Sequence, residues 1–182
     1  MRIVGGIYRS RKLAEFKGME IRPTADSVRE SLFNILRDRV ENCDFLDLYS
    51  GTGAVGLEAL SRGAGSVTFN DLSRDSIAVL KKNLDILKAE KGVVVSNAEA
   101  SAFLAGRAAS GVCYDIIYID PPYELGADKA LPLVFAVLKD HGIAVYENEK
   151  PFVGEVPGLV KYDERKYGRA YLTFFKKINS YV

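Results

Sequence analysis

Short apolar segments of strand length alternate with segments of helical periodicity from residue 45 to residue 147 of this 182-residue chain. The predicted strands cover residues 45–49, 66–71, 93–95, 116–119 and 143–147, and the predicted helices include 77–87, 98–105 and 130–138. This alternation predicts an α/β fold, a doubly wound, Rossmann-like sheet that is mostly parallel and has helices on both faces. Such sheets bind ligands beyond the carboxyl ends of their strands, so the functional residues are expected there.

The first forty residues lie outside this alternation. Residues 1–22 carry scattered glycines among short apolar residues, which indicates an irregular hairpin or arm. Pro23 is expected to break the chain. A helix is predicted over residues 26–40, with Thr24, Asp26 or Ser27 as its N-cap and Glu30 in place to complete a capping box with Ser27.

The C-terminal residues predict a different element. The apolar runs 159–162 and 170–175 flank a turn and indicate a closing antiparallel hairpin. A chain of 182 residues is long enough for one domain with a full core. Its expected parts are a basic arm (1–22), a helical segment (23–40) and a core (41–182).

Basic residues are concentrated at the two ends of the chain, although the net charge is only +1. Arg9, Arg11 and Lys12 precede the first acidic residue, and six bases lie between residues 161 and 177. Either cluster alone would be read as a solvated surface. Two clusters that could meet in space favour a polyanionic partner, and Tyr167 and Arg169 are further candidates for contact with it.

The composition also makes several classes of protein improbable. Two cysteines, Cys43 and Cys113, and one histidine, His141, are too few for a disulfide framework or a metal site, so no metal is expected. No apolar run has the length of a membrane span, and the N-terminus lacks a signal-peptide core. We therefore expect a cytoplasmic protein without membrane contact. The absence of a long exposed apolar stretch predicts a monomer.

A glycine-rich loop follows the first predicted strand. In DLYSGTGAVGLE, residues 47–58, Gly51, Gly53 and Gly56 match the G-x-G-x-x-G pattern of dinucleotide-binding folds. Asp71 ends the second predicted strand, where such a site holds a ribose-binding acid. These residues fit a nicotinamide-dependent oxidoreductase. Glycines that only form a tight turn would give the same pattern.

Asp47, at the end of the first strand, favours another cofactor. A carboxylate beside the loop would oppose a pyrophosphate, whereas it suits the ammonium and sulfonium groups of S-adenosylmethionine. Gly51 and Gly53 would let the backbone approach that ligand because no Cβ intervenes. Asn97 and Ala98, which end the third strand, would border its adenine.

The fourth strand ends in an acid, two prolines and a tyrosine, within YIDPPYE at residues 118–124. An amino group on a nucleobase is a poor nucleophile, and acceptors aimed at its hydrogens favour the geometry in which it attacks a methyl group. Asp120 and the Pro121 carbonyl would supply those acceptors from a turn that Pro122 stiffens. Tyr123 would stack on the base. Direct displacement at a sulfonium requires no metal.

With these motifs in place, the chain resembles the amino-group methyltransferases that carry [DNS]-P-P-[YF]. It is similar in particular to the RsmD-type 16S ribosomal RNA guanine-N2 methyltransferases, over essentially its whole length. The carrying segments are MRIVGGIYRSRKL, RPTADSVRESLFNIL, DLYSGTGAVGLEALSRGA, DPPYE and YGRAYLTFF. The resemblance implies a class I methyltransferase fold and S-adenosylmethionine as cofactor, with 16S ribosomal RNA or the small ribosomal subunit as partner.

The resemblance also implies roles for individual residues. The methionine part of the cofactor would meet Asp47, Ser50, Gly51 and Gly53, the ribose Asp71, and the adenine Asn97 and Ala98. Thr24 and Arg29 would close over the cofactor or position the loop. The target base, by family pattern guanine 966 of 16S ribosomal RNA, would lie at Asp120, Pro121, Pro122 and Tyr123, and RNA phosphates at Arg9, Arg11 and Lys12.

One departure from the family pattern concerns the ribose-binding acid. Asn70-Asp71-Leu72-Ser73 stands where Val-Glu-Lys-Asp is more usual, so the acid is shorter and the acid that follows is missing. Three alternatives stay open: a DNA or RNA adenine-N6 methyltransferase, an NAD-dependent oxidoreductase, and an RNA-binding module with a vestigial site.

Overall fold

A computed structural model describes residues 1–16, 23–122 and 129–178. Within these ranges the helices are α1 (Pro23–Leu36), α2 (Ala54–Ser61), α3 (Arg74–Leu87), α4 (Ala100–Ala109) and α5 (Leu131–Val137), with a short 3-10 turn at Arg37–Arg39. The strands are β1 (Asp44–Asp47), β2 (Ser66–Asn70), β3 (Val93–Ser96), β4 (Tyr114–Ile119), β5 (Leu138–Asn148), β6 (Leu159–Tyr167) and β7 (Ala170–Lys177).

The described strands form a single sheet in the order β3-β2-β1-β4-β5-β7-β6. β1 to β5 pair in parallel, whereas β7 pairs antiparallel with both β5 and β6. The parallel strand order reverses between β1 and β4, so the ends of these two strands border the crevice where such folds bind ligands. The predicted α/β fold with a closing antiparallel hairpin is confirmed.

Side chains alternate between the two faces of the sheet, and each face has its own hydrophobic cluster. Phe45, Phe69 and Tyr118 face the cluster that includes α1, α2, α3 and the N-terminal arm. Leu46 and Ile117 face the second cluster, with α4 and α5. Helices on both faces confirm the doubly wound arrangement.

Several predicted boundaries are wrong, and two of them have a clear physical reason. α1 begins at Pro23 instead of residue 26, so Ser27 lies inside the helix and is not its N-cap. Proline suits the first helical position because the N–H it lacks would have no partner within the helix there. β5 begins at Leu138, within the predicted helix, because pairing with Tyr114 of β4 draws this segment into the sheet.

The N-terminal arm is an irregular hairpin, as predicted. Arg2 and Lys12 form an antiparallel bridge, and the Ile3 amide donates to the Arg11 carbonyl at 3.0 Å. Ile3 is buried in the same cluster as α1. No described helix has the length and apolar character needed to cross a membrane.

Candidate active site

A cavity of about 560 Å³ opens beyond the carboxyl ends of the parallel strands. Its described lining comes from the segments that follow β1, β2, β3 and β4, together with Lys129. The lining residues are Tyr49, Gly51, Asn70, Asp71, Leu72, Ala98, Glu99, Ala100, Asp120, Pro121, Pro122 and Lys129. The glycine loop and the prolines that follow β4 therefore face one cavity.

The structure gives different reasons for the glycines at positions 51 and 53. Gly51 has a φ of 52°, and a Cβ built on it meets no described atom within 4 Å, so the open space beside it belongs to the cavity. Gly53 has a φ of 90°, and its Cβ would lie 2.4 Å from Leu80. The second glycine is therefore required for packing against α3, whereas only the first lines the cavity.

Asp47 does not line the cavity. Its side chain is buried, and its Oδ2 accepts a hydrogen bond of 2.8 Å from the Gly56 amide in the first turn of α2. This contact closes the loop by satisfying an amide that has no partner within the helix. Burial raises the pKa of Asp47 to about 7, and the charge of Asp71 adds to the rise. Asp47 thus holds the start of α2. The contact with the cofactor's cations stays a prediction.

The raised pKa of Asp47 predicts a pH-dependent cost to stability. The unfolded chain releases this proton near pH 4, but the folded chain holds it to about pH 7, so stability falls as pH rises through that window. Asp47→Asn removes the carboxylate and keeps an acceptor for Gly56. Relative to wild type, we expect this variant to gain up to about 4 kcal/mol of unfolding free energy between pH 4 and pH 8. Urea unfolding at both pH values measures the gain, and parallel pH curves for the two proteins would refute it.

Hydrogen bonds of Asp71 and Asn97 stabilise a turn at the cavity wall. The two carboxylate oxygens of Asp71 accept from the Gly51 amide at 2.7 Å and the Ser73 amide at 2.8 Å. The Asn97 amide donates to the carbonyls of Asp71 and Leu72. Asn97 thus supports the wall from outside, while its neighbour Ala98 lines the cavity.

Asn70 lines the cavity and was not predicted as a site residue. Its Nδ2 donates to the carbonyls of Leu48 and Ala98, at 3.3 and 3.1 Å. Its Oδ1 is buried and accepts no hydrogen bond from any described residue. The buried Oγ of Ser50 likewise has no hydrogen-bond partner among the described residues. Buried polar atoms are nearly always hydrogen-bonded in native proteins, so a ligand or water is expected to complete these two. The departure of Asn70 from the family pattern was the available signal.

Asp120 lies where β4 ends, at the edge of the cavity. Burial raises its pKa well above the usual value, and the negative charges of Glu147 and Asp47 add to the rise. Pro121 and Pro122 follow on the cavity wall. Tyr123 lies outside the described residues.

Arg29 is not among the residues that line the cavity, and its predicted role in closing over the cofactor or positioning the loop stays a prediction. Its side chain is only 3% exposed, and Nε lies 3.4 Å from Glu58 Oε2. Its Nη2 donates to the Arg2 carbonyl at 2.5 Å and to Asp26 at 2.9 Å. Arg29 therefore joins the arm, α1 and α2. Thr24 belongs to the helical backbone of α1, but its side chain lies outside the described part.

The predicted RNA-contacting residues lie mostly on the surface. Arg9, Arg11, Lys12 and Arg169 are exposed, and none forms an ion pair with a carboxylate of a described residue. Tyr167 is partly buried against the same hydrophobic cluster as Tyr8 of the arm. Tyr8 of the arm and Tyr167 of β6 thus lie on the same face of the sheet.

Comparison with known proteins gives consistent matches. Residues 1–176 match the model of a family described as Conserved hypothetical protein 95. The chain is 41% identical over 142 residues to ribosomal RNA small subunit methyltransferase D of Escherichia coli strain K12, covering 78% of this chain and 68% of that protein. The Haemophilus influenzae protein of the same name is 36% identical, with 82% and 79% covered. The solved structure of Escherichia coli yhhF superposes with a TM-score of 0.85 at 35% identity, covering 97% of both chains.

Proposed function

Because the chain belongs to the Conserved hypothetical protein 95 family, the family of the ribosomal RNA small subunit methyltransferases D, we propose that it is an S-adenosylmethionine-dependent methyltransferase of ribosomal RNA. More specifically, we propose that it modifies the exocyclic N2 amino group of a guanine in 16S ribosomal RNA, at the family position 966. We retain the single domain and the monomeric state as parts of the proposal.

The observation that carries this proposal is that Gly51, Asp71 and Asp120 line one cavity. A cofactor bound by the first two residues would lie beside the third. The bare Gly51 backbone, the unpartnered Asn70 Oδ1 and the apolar Leu72 fit a ligand with both polar and apolar parts, such as an adenosyl amino acid. When bound, S-adenosylmethionine would supply a methyl group activated by a positively charged sulfur.

The residues of the chain would prepare the acceptor amine. The Asp120 carboxylate and the Pro121 carbonyl would accept the two hydrogens of the amine, which directs its lone pair toward the cofactor side of the cavity. Tyr123 would stack on the target base. RNA phosphates would be bound by the exposed cations Arg9, Arg11, Lys12 and Arg169.

The charges of the cavity argue against the oxidoreductase alternative. Among its described lining residues, Asp71, Glu99 and Asp120 are acids, and Lys129 is the one base. An excess of carboxylates opposes a pyrophosphate but tolerates a ligand that carries ammonium and sulfonium groups.

The proposed function is tested by transfer of a tritiated methyl group to small subunits or 16S ribosomal RNA from cells that lack the gene. We expect incorporation at one guanine and N2-methylguanine as the product after nucleoside digestion. Incorporation as N6-methyladenine would support the adenine alternative. Calorimetric binding of NAD without binding of S-adenosylmethionine would overturn the proposed cofactor.

A further inference from the structure

A second acid, Glu147, lies next to Asp120 at the rim of the sheet. β4 and β5 pair in parallel with Tyr118 opposite Val145 and Ile119 opposite Tyr146. Continued by one residue, this register brings Asp120 beside Glu147. Because side chains alternate along a strand, Tyr118, Asp120 and Glu147 belong to the same face of the sheet.

The Glu147 carboxylate is held by one of its two oxygens. The buried Tyr118 hydroxyl donates a hydrogen bond to Oε2. Oε1 accepts no hydrogen bond from the described residues. Burial raises the pKa of Glu147, and the hydrogen bond from Tyr118 opposes that rise. Tyr118 thus holds the carboxylate in place through Oε2, and Oε1 is left to accept a hydrogen bond from a ligand.

The pair of acids has no compensating cation in the described part of the chain. No described lysine or arginine forms an ion pair with Asp120 or Glu147. Two partly buried carboxylates without a cation are unfavourable for folding, and such pairs are typical of functional sites. They suit a ligand that offers several hydrogen-bond donors side by side.

We propose that Glu147 accepts the N1–H of the target guanine while Asp120 accepts from its 2-amino group, so that Glu147 selects guanine. The proposal rests on the proposed function and deepens it by naming a specificity-determining residue. Guanine presents N1–H and the 2-amino group as adjacent donors. Adenine presents a lone pair at N1 beside its 6-amino group, and that lone pair would face the carboxylate unfavourably.

The experiment uses a base that differs from guanine at this point of contact. 2-Aminopurine keeps the 2-amino group but has an unprotonated N1 and lacks the 6-oxygen. We would prepare 16S ribosomal RNA by ligation with guanine or 2-aminopurine at the methylated position, assemble it into subunits, and measure kcat/KM for both. Wild type is expected to prefer guanine by about tenfold or more, the effect of one hydrogen bond to a charged group.

Glu147→Gln is the test variant. Its Oε1 can still accept from Tyr118, which leaves an amide donor that suits the bare N1 of 2-aminopurine and opposes the N1–H of guanine. We expect the guanine preference to fall by about tenfold or more. Glu149→Gln, which removes an exposed acid two residues further along the chain, is the matched control and should keep the wild-type preference. The 6-oxygen that 2-aminopurine lacks affects the guanine preference of wild type, Glu147→Gln and Glu149→Gln alike, so its contribution cancels when the three preferences are compared.

The outcomes separate the two proposals. If wild type methylates guanine N2 but Glu147→Gln keeps the full guanine preference, Glu147 does not select the base, while the proposed function stands. If wild type methylates no ribosomal RNA, both proposals fail. Should Glu147→Gln fail to fold, Tyr118→Phe removes the hydroxyl that fixes the carboxylate. The guanine preference must then fall in Tyr118→Phe, and an unchanged preference overturns the inference.

Discussion

Asp120→Ala is expected to lower kcat for methyl transfer by about a thousandfold, the scale for loss of a preorganised electrostatic contact. Alanine offers no acceptor oxygen, so one hydrogen of the acceptor amine loses its partner and the amine is no longer oriented for attack. Single-turnover transfer of a tritiated methyl group to small subunits measures the loss. Asp85→Ala, at an exposed position of α3, is the control and should keep full activity.

The same substitution is expected to leave the fold intact or make it more stable. Burial and the charges of Glu147 and Asp47 raise the pKa of Asp120 well above its usual value, so its ionised form is unfavourable in the folded state. Stability is therefore lost as pH rises toward that pKa, and removing the carboxylate restores it at neutral pH. Thermal unfolding at neutral pH tests whether the variant is at least as stable as the wild type. Binding of S-adenosylhomocysteine, which carries no sulfonium charge, should be unchanged. Full activity in Asp120→Ala would overturn the proposed role of Asp120.

Glu58→Ala is expected to have the largest effect on stability, about 3–5 kcal/mol, because it breaks a buried ion pair on one side. Glu58 is fully buried and accepts from the Val4 and Gly5 amides at 2.8 and 2.7 Å. Its carboxylate also pairs with Arg29 and Arg62. Without it, the guanidinium of Arg29 is left buried with one carboxylate partner fewer among the described residues.

Urea unfolding measures the cost of Glu58→Ala, and Glu90→Ala, at an exposed position, is the control. Hydrogen exchange should lose protection first at the Val4 and Gly5 amides, because both donate to the Glu58 carboxylate. A loss of stability below about 1 kcal/mol would mean that solvent or neighbouring groups replace the carboxylate, contrary to this account.

The sequence pattern was sufficient to predict a strand or helix where interactions between neighbouring residues decide its extent. The strands and helices of the parallel part were predicted because apolar periodicity reports which face of each element is buried. The wrong boundary between α5 and β5 lies where a non-local contact decides. Leu138 joins β5 because Tyr114 of β4 pairs with it, and no pattern within residues 130–138 encodes that pairing.

The motif residues that line the cavity were found because each one ends a strand. Gly51, Asp71, Ala98 and Asp120 were named from sequence, and all four line the described cavity. Asp47 was assigned to the cofactor because it ends a strand and Arg29 because of the family resemblance, but the sequence did not indicate that both side chains bind α2. Position along a strand or helix places the backbone, whereas the direction of a side chain depends on which partner reaches it.

The sequence by itself determined the α/β class, the rim of the sheet that holds the site and the family, since these follow from periodicity and from motifs within single segments. Only the tertiary structure decided that Asn70 keeps an unpartnered oxygen at the cavity, that Arg29 serves the arm, and that Glu147 stands beside Asp120. Tyr118 and Glu147 are 29 positions apart and meet through the register of two strands. Strand register is set by hydrogen bonding and packing over the whole sheet, and no short segment of the chain contains it.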